Sequence, residues 1–131
     1  MSNENATLVR SAVEAYMRDG LAAVDDLWDP EIEFHEDPEF PESGVYPGAR
    51  AVDAYFEQFR GHFEEFNFEI ENAVEAGDKV LALVRLRMRG RDSAGHVDQR
   101  AGWVFTLRDG KVLRIEGYLD REEARRAAGL G

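Results

Sequence analysis

Apolar residues recur every three to four positions at the start of the chain, at Leu8, Val9, Ala12, Val13, Tyr16 and Met17. That spacing puts them on one face of a helix, which Asn5 or Thr7 can cap and Gly20 can end. A shorter helix with Leu21, Val24, Leu27 and Trp28 follows and stops before Pro30, because a residue preceding proline is pushed out of the helical region. The segment EIEFHED reads as a brief strand, and a turn stiffened by Pro38, Pro41 and Pro47 ends at Gly48. A third helix starts near Ala49 and presents Val52, Tyr55, Phe56, Phe59 and Phe63 as one broad stripe with a large face to bury.

After Phe66 the period changes to two, and AGD at 76–78, GRDSAG at 90–95 and RDG at 108–110 look like hairpin connections. Four consecutive antiparallel strands result, followed by a short helix, REEARRAAG, that ends at Gly129. Helices first and strands afterward make an α+β domain with helices on one face of a sheet. Alternation assigns Ala82, Val84, Leu86, Met88, Ala101, Trp103, Phe105, Ile115, Gly117 and Leu119 to the helix-facing side. The other face carries Arg85, Arg87 and Arg89, opposed by Glu116 and Asp120. Such a face is either a salt-bridged surface or the interface of a homodimer.

A length of 131 residues with 44% hydrophobic content predicts one domain over 1–131, large enough to need no disulfide or metal staple. The absence of cysteine removes disulfides, thiolate zinc sites and a cysteine nucleophile, and suits a reducing cytoplasm. MSNENATLVR has no signal-peptide pattern and no apolar run reaches spanning length, so a cytoplasmic protein with no membrane association is expected. A formal charge of −11 argues against nucleic acid as a partner. Three scattered histidines without HExxH argue against a metal site, and no GxGxxG or phosphate loop occurs, so no cofactor is expected.

His35 and Asp37 share strand parity, so both are expected to point into any pocket. His35 can act as base, proton shuttle or ligand-orienting donor near neutral pH, or be a wall histidine held by a carboxylate. Asp37 beside aromatic residues would be a desolvated base, or with Glu36 and Glu39 simply part of an acidic turn. His62 reads as structural and His96 as solvated. Trp28, Tyr46, Tyr55 and Trp103, with Phe56, Phe59, Phe63 and Phe105, would line an apolar cavity or belong to the ordinary core, and those with a polar tip favour the wet end. Gln99 is the one polar member of its strand's inward set and must find a partner.

Three segments in order, LWDPEIEFHEDPEFPESGVYPGARAVDAYF, AGDKVLALVRLRMRGRDSAG and FTLRDGKVLRIEGYLDREEARRAAGL, together resemble the SnoaL-like proteins of the nuclear transport factor 2-like superfamily over nearly the whole length. The resemblance implies a cone: a curved, mainly antiparallel sheet wrapped around about three N-terminal helices, with an internal pocket. Relatives include ketosteroid isomerase, polyketide cyclases, epoxide hydrolases, dehydratases and members without catalysis, so fold alone decides no function. HEDP is similar to the strand end where ketosteroid isomerase keeps its general base, which implies that role for Asp37. Tyr16 falls roughly where that enzyme keeps a catalytic tyrosine. Trp103 matches the position of its protonated acid, and an indole can donate a hydrogen bond but cannot be that acid. The Asp-Arg-Asp arrangement of the epoxide hydrolases is not matched, since Leu86, Met88 and Gly117 hold the inward positions. Two functions stay open: a cofactor-free isomerase, cyclase or lyase acting on a small apolar carbonyl compound, or a non-catalytic dimeric ligand-binding domain.

Overall fold

The computed structural model describes residues 3–39, 43–91 and 95–130. Pro41 and the tip of the predicted 90–95 turn lie outside the described residues. The elements in order are α1 (Glu4–Asp19), a 3₁₀ turn (Leu21–Val24), β1 (Trp28–Glu36), β2 (Gly44–Pro47), α2 (Ala49–Gly61), β3 (Phe63–Ala76), β4 (Lys79–Gly90), β5 (His96–Arg108), β6 (Lys111–Tyr118) and α3 (Arg121–Ala127). The six strands form one open, mixed sheet in the order β2-β1-β6-β5-β4-β3. β1 runs parallel to β6, and every other pairing is antiparallel.

The meander matches the period-two pattern. Asp109 and Gly110 both take positive φ, at 52° and 75°, the primed turn whose twist suits a two-residue hairpin. The inward set is as expected: Ala82, Val84, Ala101, Phe105 and Ile115 join Val9, Ala12, Tyr16, Ile32, Phe34 and Val52 in the main core. No helix among the described residues is long and apolar enough to cross a membrane.

Four expectations need correction. The second helix is only a 3₁₀ turn, and Trp28 begins β1 instead. Pro30 then sits inside β1 where its pairing with β6 shifts register between Trp28 and Glu33, as a proline in a strand requires. GVYP, read as part of a turn, is the edge strand β2. Neither Asn5 nor Thr7 caps α1: its N-cap is Asn3, without a side-chain bond. Phe63 opens β3 and does not lie on the α2 stripe.

On the outer face the arginines find partners on neighbouring strands. Arg85 grips Asp98 through two bonds of 2.8 and 2.6 Å, and Arg87 and Arg89 reach Glu69 and Glu65. The predicted opponents do other work: Asp120 caps α3 by accepting from the Glu122 N–H, and Glu116 accepts from the Tyr118 hydroxyl. α3 covers part of this face, packing Ala124 and Ala128 on Leu81 and Val104. Gly102 makes that possible, since a Cβ there would lie 2.5 Å from the Ala124 Cβ. The helix ends where the Leu130 N–H bonds the Arg125 carbonyl and the Gly129 N–H that of Arg126, a Schellman closure with Gly129 at φ +81°.

Candidate functional site

Between α1, α2 and the concave sheet face lies a cavity of about 80 Å³, several times the roughly 10–15 Å³ that one water needs. Its wall is mostly aromatic. Trp28, Tyr55, Phe56, Phe59, Phe68 and Trp103 all contribute, and Phe56 stacks on Trp103 with centroids 5.9 Å apart. Among the described residues its only charged wall groups are Glu36 and Arg60.

Glu36 occupies this site because of its neighbours on β1. Ile32 and Phe34 are fully buried, and alternation carries Glu36 to the same side. Its Oε2 accepts from the Tyr55 hydroxyl and its Oε1 from the Asp37 N–H at 2.9 Å. Burial holds its carboxyl above the usual glutamate range; the Tyr55 and Asp37 N–H bonds offset this only in part, and the nearby Asp37 charge adds to it. The same region contains Gly117. The point its Cβ would occupy lies 3.2 Å from Glu36 Oε1 and 3.5 Å from Trp103 Nε1. A side chain at this position would be tight against the Glu36 carboxylate, so glycine lets Glu36 and the Trp103 indole sit close to this strand, and both side chains line the cavity.

Tyr16 belongs to the helical wall. It stacks on Trp28 at 5.0 Å and donates its hydroxyl to Asp53 Oδ1 at 2.7 Å. Burial and the Asp53 bond raise its phenol well above the ordinary value. The Arg60 guanidinium lies over the Tyr16 ring, 5.6 Å from its centre, and pairs with Glu57.

Of the residues singled out in the sequence, Tyr16, Trp28, Tyr55 and Trp103 line the cavity, whereas His35, Asp37, Tyr46 and Gln99 do not. The inward orientation expected for His35 is reversed. With Phe34 facing the core, His35 must face outward, where Nε2 lies 2.9 Å from Glu33 Oε1. Asp37 is buried, at 4% exposure, yet it lies beyond the end of β1, so strand parity does not govern it. Its Oδ1 accepts the Glu39 N–H and its Oδ2 the Leu119 N–H, both at 2.9 Å. That fastens the end of β1 to the end of β6. Tyr46 packs behind Tyr55, with centroids 4.3 Å apart. Gln99 finds its partner locally, donating to the Arg100 carbonyl at 2.8 Å. Glu36 was missed although Ile32 and Phe34 signalled its orientation. Nothing in the described residues groups three or more potential metal ligands.

A family model described as a SnoaL-like domain matches residues 9–115. No curated protein sequence matches the chain significantly. Among solved structures, an NTF2-like protein of unknown function from Burkholderia pseudomallei superposes with a TM-score of 0.78 at 21% identity, covering 96% of this chain and 97% of that one. TerC, crystallised with polyporic acid, gives 0.75 at 14% identity over 96% and 98% of the two chains. A protein of ketosteroid isomerase-like fold from Catenulispora acidiphila, in complex with trimethylamine, gives 0.70 at 13% identity over 92% and 93%. At these identities the likeness is one of fold.

Proposed function

The chain belongs to the SnoaL-like domain family, and from that premise we propose that it is a cofactor-free enzyme, working in the cytoplasm, that moves a proton on a small apolar carbonyl compound. The observation carrying this reading is that the Glu36 carboxyl, its pKa raised by burial, and the Trp103 indole both line one aromatic cavity. Ionised Glu36 would take a proton from the carbon next to the carbonyl. The electron pair left behind moves into the carbonyl, and the resulting enolate oxygen accepts the Trp103 hydrogen bond. Returning the proton to a different carbon is isomerisation; loss of a leaving group from the enolate is a lyase reaction. A carboxyl raised by burial is a stronger base than one in water, which suits it to a carbon acid. Asp37 and Tyr55 act as positioning residues, the first through β6 and the second through its bond to Glu36.

The test is proton–deuterium exchange of 2-tetralone in D₂O, followed by NMR. The wild type should accelerate exchange, Glu36→Gln should lose about 10²-fold or more, and His35→Gln should leave the rate unchanged. Equal rates for wild type and Glu36→Gln would remove the assignment. A non-catalytic ligand-binding domain is the second reading, favoured by the fact that both Glu36 oxygens already have protein donors. It would be supported if 2-tetralone raised the melting temperature without any exchange. A homodimer through the outer sheet face belongs to the same proposal. The exposed Arg–Asp and Arg–Glu pairs of β3, β4 and β5 could face a second copy of themselves. Sedimentation showing a monomer at micromolar concentration would exclude it.

A further inference from the structure

We propose that Arg60 anchors an anionic group of the ligand, so that the substrate is a small apolar ketone or enone bearing a carboxylate; this rests on reading the cavity as a substrate site. The two charged wall groups are not partners. Glu36 is engaged by Tyr55 and the Asp37 amide, and Arg60 by Glu57, with no ion pair between them among the described residues. They also come from different layers, Glu36 from the end of β1 and Arg60 from the last turn of α2. A molecule spanning the cavity therefore meets a base on the sheet side and a cation on the helical side.

Arg60 has donors to spare. Its one hydrogen bond among the described residues runs from Nη2 to Glu57, which leaves the second Nη2 hydrogen to form one fork, with Nε or with Nη1 according to its side, for a bidentate carboxylate. Glu57 is more than half exposed, and an ion pair of that kind is weak enough for a ligand acid to share or displace. The fork is held in place from below, since the guanidinium lies over Tyr16 and Asp53 pins the Tyr16 hydroxyl. With a formal charge of −11 the chain as a whole repels anions, so an acidic ligand depends on this local cation. The same signs orient it: its carboxylate is repelled from Glu36 and its apolar carbonyl end is turned toward Glu36.

Phenylacetate and its neutral amide, phenylacetamide, form the matched probe pair, and quenching of Trp28 and Trp103, the chain's two tryptophans, reports their binding. Wild type should bind phenylacetate about tenfold or more tighter than the amide, as a charge-assisted bidentate contact gives. Arg60→Gln should abolish the preference while leaving amide affinity within about twofold, and Arg60→Lys should keep part of it, a point charge lacking the fork. Thermal melts of both variants check folding, and retention of the preference by Arg60→Gln would overturn the anchor. So would equal binding of the two probes by wild type, or tighter binding of phenethylammonium, which would make Glu36 the ionic partner. If no probe perturbs the wild-type fluorescence, the anchor is overturned, whereas the proton-transfer reading stands or falls on the 2-tetralone exchange.

Discussion

Replacing Tyr55 with phenylalanine removes one hydroxyl and little else. The ring is 5% exposed and packed against Tyr46, Phe34 and Phe56, so the hydrocarbon contacts survive. What is lost is the donor to Glu36 Oε2; the Asp37 N–H on Oε1 remains. A hydrogen bond to an ionised acceptor contributes about 1.5–3 kcal/mol net and one between neutral groups about 0.5–1.5 kcal/mol. Tyr55→Phe should therefore cost about 1.5–3 kcal/mol where Glu36 is ionised and about 1 kcal/mol where it is protonated. Since burial raises the Glu36 pKa, the change between those regimes falls above the normal glutamate range. Losing the Tyr55 donor, which favours the ionised form, moves it higher still. Urea unfolding followed by tryptophan fluorescence from pH 4 to 8 measures this, in both the wild-type and Glu36→Gln backgrounds. In the Gln background the cost should be about 1 kcal/mol and independent of pH. A cost that is flat with pH in the wild-type background, or unchanged by Glu36→Gln, would refute the coupling.

Glu36→Gln should itself gain stability relative to wild type as pH rises. A raised folded-state pKa makes the Glu36 contribution greatest below the unfolded value of about 4.3 and diminishes it as pH climbs through the folded value. Melting curves at pH 4.5 and 8 compare the two proteins, and a gap that moves the other way would contradict the burial of this carboxyl. Asp37→Asn should cost about 1–3 kcal/mol in chemical denaturation, because an amide NH₂ would then face a backbone N–H, whereas His35→Gln should stay within about 0.5 kcal/mol; equal effects would argue against the clamp. Gly102→Ala should destabilise by about 1–3 kcal/mol through overpacking against Ala124, and an unchanged melting temperature would mean that α3 can lift away freely.

The meander and the helix-facing set were legible in the sequence because the four strands β3 to β6 repeat one alternation, and each repeat reinforces the next. β1 carries four carboxylates in nine residues and a proline that disturbs its pairing, so in EIEFHED its two faces are told apart by Ile32 and Phe34 alone. Phe34 faces the core, so His35 points outward to Glu33, opposite to the orientation that its chemistry invites. Asp37 shows a second limit: alternation loses its meaning one residue past the strand, where a carboxylate follows backbone N–H donors and not the pleat. The edge strand β2 was hidden by Gly44 and Pro47, residues that mark turns; only its pairing with β1, where Phe34 opposes Tyr46, makes GVYP a strand. Arg60 was passed over because a lone arginine near a helix end carries no pattern, and only the tertiary fold sets it above Tyr16.

The parallel pairing of β1 with β6 has a consequence for how the chain is made. Phe34 pairs with Ile115, so about 80 residues must leave the ribosome after Phe34 before its partner strand exists, roughly 4–16 s at about 5–20 residues per second. Throughout that interval Ile32 and Phe34 have no β6 to shelter them, while the hairpins of β3 to β5 can already be forming from neighbours in the chain. Glu36 emerges early, but Trp103 and Gly117, which complete its surroundings, are among the later residues to appear. Synthesis thus sets a waiting period for the nascent amino-terminal third, and capture by a chaperone should be most frequent there and should end once residue 118 clears the exit tunnel.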